Sequence, residues 1–201
     1  FRLIQACNNI HLLKKSINSF DFLEEGFGDG LTEFNLEEVL GSVTFDKVSN
    51  LSNSYIPSKH KEVEVIVSKL KKDKQKVIIW GVFIDSIKRL HNYLSLQGLK
   101  GNYVIGETPN SKLDFSDSSI SRENIIYNFK NNDLDYIITN PTVLGESISL
   151  HKVCHHSIYF ELSYSAAPYI HSRDRIHRVW LDENGVQKEY ETNYYHLIAK
   201  D

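Results

Sequence analysis

Three short and nearly unbroken apolar runs, KVIIWGVF (76–83), DYIIT (135–139) and SIYFEL (157–162), are spaced along the chain with helix-patterned stretches between them. A strand that is apolar on both sides has to be covered on both sides, and strands joined through helices run parallel. The expected fold class is therefore α/β, an open parallel sheet with helices on both faces. Val63, Ile66, Val67 and Leu70 mark one helix, and Ile87, Leu90 and Leu94 mark a second that Gly98 would end. A strand in NYVI (102–105), a helix around Ile125, Ile126 and Phe129, a helix from Ile170 to Val179 and a strand in NYYHLIA (193–199) complete the pattern.

At 201 residues the chain has room for one full domain with an extension, or for two small ones. Leu3, Cys7 and Ile10 repeat at helical spacing, so residues 1–17 read as a helix that needs a neighbour, with Lys14 and Lys15 at its C-terminal end. Residues 18–56 are acidic and rich in Gly, Ser and Asn, and read as a connector. The compact domain is expected over 57–201. Apolar residues at 41% and charged residues at 24% argue against disorder and fibrous classes. Net charge is 23 − 26 = −3, so contact with nucleic acid would have to come from a local basic face. Two cysteines make no disulfide framework, and no apolar run approaches the ~20 residues of a membrane span. The expectation is a soluble, reduced, cytoplasmic protein. Phe1 opens the sequence with neither an initiator Met nor a signal pattern, so it reads as a piece of a longer chain.

In open parallel sheets ligands sit beyond the carboxyl ends of the strands. The segments there are Gly81–Asp85, Gly106–Pro109, Asn140–Leu150 and Tyr164–Arg178. In HSRDRIHRV (171–179), helical spacing would put His171, Arg175 and Arg178 on one face, where two planar guanidiniums could clamp phosphoryl oxygens. A solvated basic helix with Asp174 pairing an arginine fits the same spacing. There is no GxxxxGK[ST] loop, since GFGDG (26–30) lacks the Lys and the hydroxyl. What remains open is a domain lending arginines to a nucleotide held elsewhere.

An ordered series of segments resembles the C-terminal lobe of the Swi/Snf-type ATPases of helicase superfamily 2. RLIQACNNIHLL (2–13) is similar to the family's last helix of the first lobe, and KVIIWGVF to its motif IV. YVIGETP and SRENIIYNF follow in order, placing Arg122 and Phe129 on family positions. YIITNPTVLGESISL (136–150) resembles motif V, matching at Gly145 and Leu150, with Ser147 and Ser149 in place of Gly and Asn. YFELSYSAAPYIHSRDRIHRV keeps the spacing of motif VI, matching at Asp174, Arg175, His177 and Arg178. Glu161, Tyr164, Ser165 and His171 depart from Asp, Trp, Asn and Gln, Trp180 stands in place of Gly, and a longer link follows.

The resemblance implies a RecA-like, P-loop NTPase-like lobe. It implies ATP and Mg²⁺ held mainly by an N-terminal ATPase lobe of the same protein, with Arg175 and Arg178 as catalytic arginine fingers. Gly145, Glu146, His171 and Asp174 would lie at the nucleotide. Double-stranded DNA would be held through Phe83, Ser86, Gly106, Thr108, Arg122 and Thr142, largely at its phosphates and without regard to sequence. A lobe of a restriction-type or RNA-directed superfamily 2 helicase, or a non-catalytic α/β nucleic-acid-binding module, are the alternatives.

Three other groups have plain structural readings beside functional ones. His151, Cys154, His155 and His156, with Cys7 and His11, carry metal-ligating atoms but no CxxC spacing, so no metal site is expected. KLKKDKQK (69–76) would serve DNA, or simply be the solvated end of a helix. Trp80, Tyr194 and Tyr195 are expected to pack in the sheet.

Overall fold

The computed structural model describes residues 50, 55–110, 121–131, 134–144, 148–163, 165–181, 183–188 and 190–198. The helix read over 1–17 and nearly all of the connector read over 18–56 lie outside these residues. So do Gly145, Glu146 and Tyr164.

Helix α1 (Ser58–Lys72) starts directly after Pro57 and leads into β1 (Val77–Trp80). Then come α2 (Ile84–Leu96), β2 (Gly101–Val104), α3 (Arg122–Asn131), β3 (Tyr136–Thr139), α4 (Pro141–Leu144), β4 (His156–Tyr159) and α5 (Ala166–Arg173). The two-residue strands β5 (Trp180–Leu181) and β6 (Gln187–Lys188) precede β7 (Asn193–His196). Five strands form one sheet in the order β2-β3-β1-β4-β7, every neighbouring pair parallel. The expected α/β class is the observed one.

Strand alternation divides the core in two. Val77 and Ile79 of β1 join Val63, Val67, Ile87, Leu90, Leu94 and Ile158 on the face covered by α1 and α2. Ile78 and Trp80 join Ile125, Phe129, Leu144, Leu150, Cys154 and Ile176 on the other face. All four β1 residues are fully buried, which is why the run shows no polar alternation. The Trp80 indole finds its acceptor in the Ser157 hydroxyl of β4, 2.8 Å away. Gly98 closes α2 at φ 76°, a left-handed conformation that costs glycine little.

The lysine run is mostly an exposed helix end. Lys69, Lys71 and Lys72 complement the C-terminal dipole of α1. Two lysines also tie elements together, since Lys71 Nζ pairs with Asp135 at 2.9 Å and Lys76 Nζ donates to the Phe129 carbonyl. Among the described residues no helix is long and apolar enough to cross a membrane.

Several boundaries differ from the sequence reading. The strands of the main sheet are four residues each, shorter than the apolar runs, because those runs continue into buried loops that side chains hold instead of a ladder. The short helix α4 was not expected, although Asn140 before Pro141 is a start signal: the Asn140 side chain accepts the Thr142 amide at 2.8 Å. The helix expected from Ile170 to Val179 begins at Ala166 and ends at Arg173. Beyond it the Arg175 carbonyl accepts the Leu150 amide at 2.9 Å, and Ile176 turns into the second core. A tertiary partner replaces the next helical hydrogen bond. The longer link after Trp180 holds the antiparallel pair β5–β6, with Gly185 between the two strands at φ 73°.

A methyl group at Gly101 would run into the ring of fully buried Tyr136 on the neighbouring strand. Gly101→Ala is therefore expected to cost about 1 to 3 kcal/mol as an overpacked site, read as a lower urea midpoint with an unchanged slope.

Candidate nucleotide and nucleic-acid interface

At the carboxyl end of the sheet, the loops leaving β1 and β4 are joined by one side chain. Glu161 is buried, and its Oε2 accepts the amides of Val82 (2.8 Å) and Phe83 (2.9 Å). The Trp80 carbonyl accepts the amides of Phe160 (3.0 Å) and Glu161 (3.2 Å) in return. From β3, the Asn140 side chain donates to the Val82 carbonyl at 2.9 Å, while its oxygen takes the Thr142 amide and hydroxyl. Burial raises the carboxyl pKa of Glu161 above its ordinary 4.5, opposed by the Ser86 hydroxyl beside it, the two amides and Lys59.

This arrangement sends several expected DNA-contacting side chains inward. Phe83 is 3% exposed, Ser86 is fully buried against Glu161, and Thr108 is 8% exposed. The Thr108 hydroxyl accepts the Ile105 amide at 3.0 Å and so closes the turn after β2. These segments therefore offer backbone, not those side chains, to a partner. Gly106 and Thr142 are exposed.

Arg122 begins α3 and lines an open cleft of about 640 Å³ with Asn110, Glu123, Ile126, Tyr127, Lys130, Ile148 and Ser149, so two cations and one carboxylate border it. Arg122 and Lys130 place two cations eight positions apart on one helix beside the segment resembling motif V. The buried Arg122 Nε has no hydrogen-bond partner among the described residues. Asn110, Tyr127, Lys130, Ile148 and Ser149 were not singled out as contacts from the sequence. Only Lys130 carried a local signal, its place eight residues after Arg122 in a helical stretch.

The two arginines do not project from one helical face. Arg175 is 9% exposed, and its Nε and NH1 donate to the carbonyls of His171 (2.9 Å) and Ile148 (3.2 Å). Arg178 is half-buried and donates through Nε to the Asp174 carbonyl at 2.8 Å. His171 and Asp174 are exposed at the end of α5. Trp180, directly beyond this segment, receives Lys152 Nζ over its ring at 4.7 Å. His155 packs on Tyr190 at 4.4 Å.

The Cys154 thiol donates to the carbonyls of Lys76 and His156, and burial pushes its pKa up to about 12. The neighbouring His151, His155 and His156 are all held below the ordinary imidazole value, chiefly by burial. Among the described residues no three His, Cys, Asp or Glu side chains are gathered as a metal site.

Glu161→Ala should leave two buried amides without an acceptor, a loss of about 2 to 6 kcal/mol, whereas Glu161→Gln keeps the accepting oxygen and should stay near wild type at pH 7. Because the folded pKa is raised, wild type should gain stability relative to the Gln variant as pH falls through the folded pKa toward 4.5. Chemical denaturation of the three proteins across that range measures both effects.

Residues 58–179 match the family model described as the helicase conserved C-terminal domain. No curated protein sequence matches the chain. The C-terminal part of the Fun30 ATPase domain is similar over 99% of this chain and 59% of that one, at 20% identity and a TM-score of 0.57. The Pyrococcus furiosus Hef helicase domain is similar over 98% and 36% of the two chains, at 15% identity and a TM-score of 0.53. The Sulfolobus solfataricus SWI2/SNF2 ATPase core domain aligns over 66% and 24%, at 18% identity and a TM-score of 0.45. The chain thus spans less than two thirds of each of these structures, and at such identities the likeness to the first two establishes the fold alone, a RecA-like open parallel sheet. The family match runs from the start of α1 to the residue after Arg178 and takes in every strand of the main sheet except β7, so this chain belongs to the helicase conserved C-terminal domain family.

Proposed function

We propose that this chain is the second RecA-like lobe of a Swi/Snf-type, ATP-dependent double-stranded DNA translocase. The observation that carries the reading is the continuity between the basic cleft and the arginine segment: Ile148 lines the cleft and also accepts a hydrogen bond from Arg175. A duplex in the cleft would meet Arg122 and Lys130, which suit phosphate oxygens and read no bases. Exposed backbone at Gly106 and the exposed Thr142 would extend that contact along the carboxyl end of the sheet.

The nucleotide side is incomplete here. The sequence has no phosphate-binding loop, and the described residues gather no carboxylate cluster for Mg²⁺. ATP and Mg²⁺ would be held by the N-terminal ATPase lobe of the same protein, with the metal neutralising phosphate charge there. What this chain supplies is guanidinium. Arg178 has its terminal nitrogens without a hydrogen bond among the described residues, and on lobe closure they would donate to phosphoryl oxygens. Arg175, Asp174 and His171 support the same edge, and Gly145 and Glu146 lie in the segment that would approach the nucleotide.

In the full-length protein, Arg178→Ala should lower DNA-stimulated ATPase turnover on the order of 10³-fold, the low end for a lost arginine finger. Lys at the same position should restore little, because it keeps the charge without the planar fork. The isolated chain should show no turnover above a buffer blank. Steady-state assays at saturating duplex decide this, and wild-type turnover in Arg178→Ala would sink the reading.

Duplex binding by this lobe should be weak, indifferent to base sequence and steeply weakened by salt. Arg122→Ala and Lys130→Ala should each flatten the salt slope by about one phosphate contact. Fluorescence titrations of unrelated DNA duplexes, with an RNA duplex beside them, check this; preference for the RNA would favour an RNA-directed lobe.

A further inference from the structure

We propose that the β5–β6 hairpin is a proton-released clasp, seated on the chain over 151–155 by the neutral rings of His151 and His155 and set free when those rings take up protons. Four rings make one run of contacts between the hairpin and that chain. His151 stands 6.3 Å from Trp180, Trp180 lies 6.3 Å from Tyr190 at 29°, and Tyr190 lies 4.4 Å from His155. Lys152 Nζ sits 4.7 Å over the Trp180 ring. The pairing of β5 with β6 is by itself a weak hold. It joins Trp180 to Lys188 and Leu181 to Gln187, and Val179, Val186 and Tyr190 around it are exposed. A lone two-stranded pair is at best marginally stable in water, so the seat of the hairpin depends on its rings.

Three buried ring nitrogens in this contact have no hydrogen-bond partner among the described residues: His151 Nε2, His155 Nδ1 and Trp180 Nε1. His151 Nδ1 meets the Ser149 hydroxyl at 2.8 Å. A neutral imidazole carries one N–H, so a bare nitrogen can occupy the buried place, whereas an imidazolium carries an N–H on both nitrogens. Protonation would therefore put a donor without an acceptor, and a charge, inside the contact. No carboxylate offsets that charge among the groups acting on His151, which are Arg178, Lys152, His155 and Lys130. His155 is governed by burial, beneath the Tyr190 ring. Burial first, and for His151 those cations second, hold both rings below the ordinary 6.5. His156 differs, since the Asp73 carboxylate favours its charge and it stacks on Tyr195 of β7, outside the hairpin. A released hairpin returns the rings of His151 and His155 to water, so the seated form binds fewer protons. Seating is at full strength above the ordinary 6.5 and weakens as pH falls below it.

The test is hydrogen exchange of the full-length protein at about pH 8 and about pH 5.5, corrected for the intrinsic effect of pH and read on peptides covering 179–190. Protection of the β5–β6 amides should fall about tenfold at the lower pH, the size expected for one buried donor left without an acceptor. The strands Val77–Trp80 and Tyr136–Thr139 should keep theirs. A double variant, His151→Asn with His155→Phe, keeps a polar atom for Ser149 and a ring on Tyr190 but titrates at neither place, and should protect the hairpin equally at both pH values. Should it fail to fold, Trp180→Ala carries the test, with hairpin amides unprotected at both pH values over an intact main sheet; a hairpin still protected there would overturn the proposal. A wild-type hairpin indifferent to pH would overturn it too and leave the translocase reading untouched. So would a fall that persists in the double variant, because another group would then be titrating, or a fall shared by β1 and β3, because the whole lobe would then be loosening.

Discussion

The loops at the carboxyl end of the sheet depend on one buried carboxyl group, that of Glu161. Each strand contributes only four residues to the sheet, so the ladder stops before the loops that matter begin. Glu161 extends the connection between β1 and β4 by accepting two amides of the β1 loop, and Asn140 does the same from β3. Backbone groups at a sheet's end ordinarily turn to water. Here side chains satisfy them, which holds Gly81–Phe83, Thr142 and the start of α2 in one frame. The burial that raises the carboxyl pKa is offset by hydrogen bonds that only an oxygen acceptor at that place can accept.

The two faces of the sheet have different work. The face under α1 and α2 is a continuous apolar core, with long helices laid over Ile79, Ile138 and Ile158. The opposite face is covered by α3, by the short α4 and by irregular chain over 148–154. Irregular cover needs more side-chain hydrogen bonding than a helix does, and the guanidinium of Arg175, the thiol of Cys154 and the hydroxyl of Ser149 supply it. It also leaves polar and cationic groups at its margin, where the cleft with Arg122 and Lys130 opens. The cleft opens on the less regular face because regular packing would have filled that space.

The hairpin β5–β6 gives the longer link after Arg178 a structural meaning. Trp180 stands where the resembled pattern has Gly, and its ring takes the Lys152 ammonium and stacks toward Tyr190. An aromatic there anchors the chain just past the arginine segment, which a glycine would leave free.

Local periodicity and ordered spacing determined a good deal by themselves. The three apolar runs required a doubly covered parallel sheet, and Trp80 was placed in it correctly. The spacing of Asp174, Arg175, His177 and Arg178 marked the segment that the family match encloses. Both signals are short-range, and a reader of sequence has access to them. The direction of each side chain was decided only in three dimensions. Phe83, Ser86 and Thr108 lie inward: Glu161 accepts the Phe83 amide from 78 residues away, Ser86 is buried near that carboxyl, and the Thr108 hydroxyl accepts the Ile105 amide within its own turn. Arg175 left its expected helical face because Ile148 and Leu150, 27 and 25 positions earlier in numbering, offered a carbonyl and an amide at the right distance. Periodicity specifies which residues share an element, whereas a buried hydrogen bond is satisfied by whatever partner the tertiary fold brings within reach.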